Sequence, residues 1–509
     1  MSAAVEVLPP LSRASCPSCR LIEAENQRLL AALKMAVATA AGLAAEVEAT
    51  KAENTKLKAL LEEVRRKGKR QSRPFSKGNP KPDPKKPGRK SGDKHGKHGH
   101  RQRPDHVDET VDVPPPEFCP DCGGEVEPED VFSDDFQADI PPIRPHVTCF
   151  HSRRGRCKKC RRRSWGRDPR QNSTARGAAA PHVGPRAMAL ASQLHTGLGL
   201  SFGKLSYLFQ MVFGLSITRG GLVQILHRVA RKAAPTYQAL VRTVANASLV
   251  VPDETGWHVG GVSAWLWVFV VPGTDGVTVY LVARGRGFED ACLVLPADFD
   301  GRLARDGWSV YRRYEDAIHQ TCLAHILRRC HELLETAQRG AARVPHAVQD
   351  LIQDAFALRR RREEETISAR GMRIAIGKLE ARADRLFAWE PTDDENRKLL
   401  KHLRQEHERG AVFAFLHDLE IPATNFWAEQ EVRPIVVTRK VWGGNRTWDG
   451  AWTQQVLGSV LRTGQRQGQD PITLLVPVLC SPHPVVADLR GLWSGPDPPP
   501  PGPDPPSAP

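Results

Sequence analysis

Two kinds of side chain in this sequence are placed for chemistry: acids that close apolar runs, and cysteines paired two residues apart. Residues 249–257 read Leu-Val-Val-Pro-Asp-Glu-Thr-Gly-Trp. An apolar run that ends on a carboxylate and turns at a glycine is how a buried strand delivers an acid to its exposed end, so Asp253 is the first candidate and a turn is expected at Gly256. Asp306 stands before a glycine in Arg305-Asp306-Gly307-Trp308, and Glu429 follows Thr424-Asn425-Phe426-Trp427-Ala428. Carboxylates so far apart act together only if the fold gathers them. The cysteines are plainer. Cys119-Pro-Asp-Cys122-Gly-Gly and Cys157-Lys-Lys-Cys160 offer four thiolates and no open position, the pattern of a structural zinc site.

The elements around the acids are predicted from periodicity. Residues 264–271 and 277–282 are aromatic and β-branched and flank a Pro-Gly-Thr-Asp-Gly turn, which predicts a hairpin beside the strand of Asp253. Residues 318–322 fit a short strand and 324–337 a helix carrying Arg328 and Arg329. Val348, Leu351, Ile352, Ala355 and Phe356 then form a helical stripe. A helical insertion over 338–420 accounts for the separation of Asp306 from Glu429. Upstream, residues 201–226 have a helix, glycine turn, helix rhythm that suits either a DNA-reading motif or a supporting bundle.

Asp253-Glu-Thr-Gly-Trp257, Asp306-Gly-Trp308 with Tyr311, His319-Gln-Thr-Cys-Leu-Ala-His325, and Thr424-Asn425 with Ala428-Glu429, Arg433-Pro434 and Arg439-Lys440 occur in this order. Together they resemble the bacterial insertion sequence 66 transposase family. The resemblance implies a ribonuclease-H-like core in which Asp253, Asp306 and Glu429 are the catalytic Asp-Asp-Glu triad. It also implies two Mg²⁺ or Mn²⁺ ions, because phosphodiester cleavage and strand transfer need an activated oxygen and a stabilised leaving oxygen. Glu429 is preferred to Glu431 because it keeps the spacing to Arg433-Pro434. Phe426 and Gln430 depart from the family pattern. Glu254, Asp298 and Asp300 are set aside, the first as a neighbour of Asp253 and the others as turn residues. Arg433, Arg439, Lys440, Arg328 and Arg329 are the expected phosphate contacts, and Cys322 with His325 is structural or DNA-orienting. The resemblance carries a zinc-binding module on Cys119, Cys122, Cys157 and Cys160.

Composition fits a DNA partner. The net charge is +15, and residues 65–104 hold sixteen Lys or Arg against Asp83 and Asp93, a net +14. Such a segment buries no core and is expected to be a flexible basic arm whose phosphate contacts release counterions. A further ten basic residues lie between Arg153 and Arg170. Before the arm, Ile22, Leu29, Ala36, Leu43, Thr50, Leu57 and Val64 alternate with Asn26, Leu33, Ala40, Val47, Asn54 and Leu61 in a heptad seam, which predicts a coiled-coil homodimer. Cys16 and Cys19 are free thiols, or zinc ligands shared by a parallel dimer. No run is expected to approach the length needed to span a bilayer, which leads to the expectation of a cytoplasmic, nucleoid-associated protein without a membrane partner.

The expected organisation is multidomain α/β: a disordered start (1–19), coiled coil (20–64), basic arm (65–110), zinc module (111–170) and helix-turn-helix-like domain (180–244). The catalytic domain (245–480) with its insertion and a Pro-rich tail (481–509) complete it. The expected function is DNA transposition, with accessory proteins as further partners. A catalytically inactive DNA-binding regulator and a nuclease without strand transfer are the alternatives.

Overall fold

The computed structural model describes residues 17–68, 103–173, 182–338 and 340–494. The thiols of Cys16 and Cys19, the arm between 69 and 102 and the tail from 495 onward lie outside the described residues. Two compact units are present, Met1–Ala138 and Asp139–Pro509.

The first unit contains one long helix, α1 (Pro17–Gly68). Its seam side chains are bare: Ile22, Leu29, Leu33, Leu43, Val47 and Leu57 are each half or more exposed. The helix corrects one expectation, because Ala24–Leu57 is long and apolar enough, by length and composition, to cross a membrane. Its hydropathy comes largely from alanines, which score as apolar although each buries little surface, and Lys34, Glu46, Glu48 and Lys51 interrupt it.

The second unit is built on a mixed five-stranded sheet. Its strands are β3 (Leu249–Val259), β4 (Val262–Val270), β5 (Thr278–Ala283), β6 (Arg302–Arg305) and β7 (Ile318–Thr321), following a small hairpin of β1 (Arg154–Arg156) and β2 (Arg163–Trp165). The spatial order is β5-β4-β3-β6-β7, with β4 antiparallel to both β3 and β5, and β6 parallel to both β3 and β7. The expected turn at Gly256 is not there. Gly256 lies opposite Trp265 within the β3–β4 pairing, and the chain reverses at Gly260 and Gly261, whose φ values of 60° and 82° suit glycine. Asp253 is therefore mid-strand. What frees it is the other neighbour: β6 pairs with β3 only at Leu249 and Val250 and then peels away.

Side-chain alternation divides the sheet between two cores. Ala264, Leu266, Val268 and Val270 face Ala428 and Ile435 of α11 (Phe426–Trp442). Trp267 and Phe269 face the opposite core, shared with α2 (Pro185–Ser192), α3 (Phe202–Phe213), α4 (Arg219–Ala245), α12 (Trp448–Arg466) and α13 (Pro471–Cys480). In the helix-turn-helix segment, Ser201 and Thr218 cap α3 and α4 through their side chains, and Gly214 ends α3 at a φ of 62°. Leu222, Ile225, Leu226, Val229 and Ala230 of α4 are buried, so this helix supports the sheet. A separate core joins α6 (Leu323–Thr336), α7 (Arg343–Glu363), α8 (Ala369–Phe387), α9 (Asp394–Glu408) and α10 (Ala414–His417), all lying between β7 and α11 in sequence.

Candidate active site

The strands bring two of the expected acids together. Ligand oxygens of Asp253 and Asp306, with one of Glu254, lie within 4.8 Å of one another, the one acidic cluster of this kind among the described residues. Asp253 Oδ1 accepts the Glu254 amide at 2.9 Å, and Asp306 Oδ1 accepts the Trp308 amide at 2.9 Å. Burial, followed by the charges of Glu254, Asp306 and Glu429, pushes the Asp253 carboxyl up from its ordinary 3.8 to about 7.

Asp306 is placed by a group that the sequence does not reveal. Arg305, the last residue of β6, is fully buried, and its Nη2 lies 2.6 Å from Glu406 of α9. Its Nη1 donates to the Asp306 carbonyl at 3.1 Å. Arg312 also reaches Glu406, at 2.7 Å. Burial alone would raise the Glu406 carboxyl, but Arg305 and then Arg312 outweigh it and hold the carboxyl below its ordinary range. A Cβ at Gly307 would stand 3.3 Å from the His402 ring of α9, so a larger residue there needs that ring to shift by a few tenths of an ångström.

Glu254, set aside on sequence, belongs to the cluster. Its side chain is fully buried, accepts Arg286 Nε at 2.9 Å and is also bonded by Arg286 Nη2 and the Tyr311 hydroxyl. The Arg286 guanidinium lies over the rings of Trp308 at 3.7 Å and Trp265 at 4.6 Å. Adjacency to Asp253 was its only signal in the sequence. Asp298 and Asp300 are exposed in the turn before β6.

Glu429 sits in the first turn of α11, half-buried, outside the 4.8 Å group. Its Oε1 lies 3.8 Å from both His325 Nε2 and Arg328 Nη2. Glu431 faces elsewhere, as two residues on a helix must. It is buried against Arg462 at 2.6 Å and Thr278 at 3.3 Å. Cys322 ties the two helix starts together: its thiol donates to Asn425 Oδ1 at 3.0 Å and accepts the Asn425 amide at 3.3 Å. Among the described residues, His325 Nδ1 and Asn425 Nδ2 are buried without a hydrogen-bond partner. Of the expected phosphate contacts, Arg328, Arg433 and Lys440 are exposed. Arg439 is instead bonded to the Gly256 carbonyl and lies 3.3 Å from Thr255 Oγ1, bracing β3, and Arg329 is bonded to Glu395 of α9.

The cysteine pairs share one local geometry. In the first unit Gly123 donates to the Cys119 carbonyl at 2.9 Å and Cys119 donates to the Gly124 carbonyl at 2.7 Å. In the second, Arg161 donates to the Cys157 carbonyl at 3.0 Å and Cys157 to the Arg162 carbonyl at 2.8 Å. Gly123 and Arg161 occupy the same left-handed conformation, with φ of 74° and 60°. Backbone amides, from Asp121 onto Cys119 and from Cys160 onto Cys157, lower both thiol pKa values toward the thiolate a metal binds.

No curated protein matches the chain. The family described as Transposase IS66 family matches residues 182–453, more than half of the sequence and all of the sheet, the acidic cluster and Glu429. The chain belongs to the IS66 transposase family.

Proposed function

We propose that this transposase cuts DNA at the ends of a mobile element and joins the freed 3′-hydroxyl to a target, with Asp253, Asp306 and Glu429 as the metal-holding triad. The observation that carries the reading is the meeting of Asp253, on β3, and Asp306, just past the end of the parallel neighbour β6, with carboxylate oxygens within 4.8 Å. The strand order β5-β4-β3-β6-β7, with acids on the central strand and just past its parallel neighbour, supports a ribonuclease-H-like core.

The donor set fits divalent metal. Hard oxygen ligands suit Mg²⁺ or Mn²⁺, and an Asp253 carboxyl pushed up to about 7, first by burial and then by the charges of Glu254, Asp306 and Glu429, marks a place where added positive charge is favourable. Bound there, two such ions would supply an activated oxygen nucleophile and a stabilised leaving oxygen. The protein contributes position. Asp253 and Asp306 each commit one oxygen to a backbone amide and keep the other for a cation, while the Arg305–Glu406 pair fixes the end of β6. Glu429 is the third member, close enough for its charge to act on Asp253, and its 3.8 Å contacts with His325 and Arg328 are long enough to be given up. Among the described residues, Arg433 and Lys440 are exposed without an ion-pair partner and Arg328 is exposed beside Glu429, and these three are the cations for DNA phosphates. The bare seam of α1 supports pairing of two chains, and the two cysteine knuckles support structural zinc.

The test is incubation of the full chain with Mg²⁺ or Mn²⁺ and a duplex carrying the flanking element end, beside an Asp253→Ala control. Cleavage or joining that vanishes in the control is the expected result. Salt-sensitive binding without cleavage, with accessory proteins supplied, would establish instead an inactive DNA-binding regulator. Cleavage without joining would establish a nuclease.

A further inference from the structure

The helical insertion carries a surface that the cleavage site does not use. Helix α8 buries Met372, Ile376, Leu379, Ala383 and Phe387 against the insertion core. At about 100° per residue, the opposite face presents Arg370, Arg373, Ile374, Gly377, Lys378, Ala381, Asp384 and Arg385 within a stripe about 140° wide. Among the described residues, none of the four basic side chains has a hydrogen bond or ion pair, and all are exposed. The acids of the helix are engaged: Glu380 lies 3.0 Å from His417 Nε2 and Asp384 lies 2.9 Å from His407 Nε2. Arg382, the remaining cation before Arg385, is bonded to Asp354 of α7. The stripe therefore carries four unpaired cations and one acid, Asp384, near its C-terminal end, a net positive face. The acidic turn Glu363-Glu364-Glu365 lies beyond its N-terminal end in sequence.

A second observation points to a partner that comes close. Gly377 is in the middle of the stripe and of the helix, where glycine costs stability relative to alanine. A side chain added there would meet nothing within 4 Å, so the protein's own packing does not call for glycine. Ala381 is one turn on, and Ile374, beside them, is 53% exposed. Small residues at the centre of a basic stripe let a large anionic surface reach the helix backbone while the long arginine and lysine arms grip on either side.

We propose that the outer face of α8 docks on the phosphate backbone of duplex DNA, independently of base sequence. From Arg370 to Arg385 the stripe runs about 22 Å along the helix. That is about two thirds of a turn of the double helix, which repeats every ~34 Å, so the four cations can meet several phosphates of one duplex. The proposal rests on the DNA-binding part of the function above and adds a second contact region on the insertion.

The experiment uses the full chain and two labelled duplexes, one with the element end and one scrambled, with anisotropy followed across a salt series. Replacing Arg370, Arg373, Lys378 and Arg385 together by Gln is expected to weaken both duplexes by about 10 to 100-fold near 0.1 M salt. It should also flatten the logarithmic salt dependence by about 2 to 4. Gly377→Glu places an acid where space is open, keeps a good helix former and should weaken both duplexes with circular dichroism unchanged. Wild-type affinity and salt slope in both variants would overturn the docking face and leave the cleavage reading standing. Loss confined to the element-end duplex would also overturn it, since a backbone contact cannot read sequence. A wild-type chain that binds neither duplex would overturn the proposed function itself.

Discussion

Replacing Asp253 by Asn should make the metal-free protein more stable, because its carboxylate is half-buried among other acids with a single backbone amide for a partner. In the folded chain the Asp253 carboxyl is raised from 3.8 to about 7, first by burial and then by Glu254. Below pH 3.8 the group is protonated in both states and contributes no difference. As pH rises, the unfolded chain ionises first and the folded state loses about 1.4 kcal/mol per pH unit, until the loss levels off near pH 7. The ceiling is about 4 kcal/mol. Asp253 is only half-buried in a cleft that water can screen, which brings the expected gain nearer to about 2 kcal/mol. For a unit of this size that is a rise in Tm of about 2 to 3 °C. The assay is thermal unfolding by circular dichroism in chelator, from pH 5 to pH 8. The gap between Asp253→Asn and wild type should widen with pH up to about 7 and then hold. Millimolar Mg²⁺ should then stabilise wild type more than the variant, closing the gap. A variant no more stable than wild type at pH 8, or a gap that ignores pH, would refute the account of the cluster as uncompensated negative charge.

Three other outcomes follow from the geometry. Glu406→Ala leaves Arg305 buried without its partner and should cost about 3 to 5 kcal/mol in chemical denaturation. The stability that Glu406 contributes is present above its ordinary 4.5 and is lost as pH falls through its lower folded value, so the deficit of the variant should shrink in acid. Glu429→Gln and Glu431→Gln should separate function from stability: the first should abolish cleavage with Tm nearly unchanged, and the second should lower stability by about 1 to 3 kcal/mol through the buried Arg462 contact. Light scattering should give about twice the 56.3 kDa chain mass for wild type, falling to one chain in a Leu29→Asp, Leu43→Asp double variant that breaks the α1 seam.

The strands β4 and β5 were legible because near-continuous runs of aromatic and β-branched residues announce strands, here buried on both faces. β7 and α6 were also visible within a residue or so of their ends. The run of β3 through Gly256 was not, because a glycine ends a strand only when no partner holds it, and here β4 continues opposite to Val259. β6 was missed for a related reason. Arg302-Leu-Ala-Arg305 looks like a solvated turn until Arg305 meets a carboxylate 101 residues away. The same distance effect concealed Glu254, whose meaning depends on Arg286 and Tyr311, and the bond of Arg439 to a carbonyl of β3. Periodicity reports which face is buried. It cannot report which buried charge has found its counterpart.

That distinction bears on what the cluster is for. Asp253, Glu254 and Asp306 bring three carboxylates within 4.8 Å, and a fold that only needed polar groups there would compensate each of them. It compensates one. Glu254 receives Arg286, itself held between Trp265 and Trp308, together with the Tyr311 hydroxyl. Among the described residues, Asp253 and Asp306 receive backbone amides and no ion-pair partner, although Arg305 lies beside Asp306 in sequence and is drawn to Glu406 instead. On the α11 side, the Arg328 guanidinium and the His325 ring lie 3.8 Å from Glu429. Positive charge is thus present on every side of Asp253 and Asp306 and directed away from them. An arrangement of that kind keeps two oxygens unspent, and the group that can use them is a cation the chain does not itself encode.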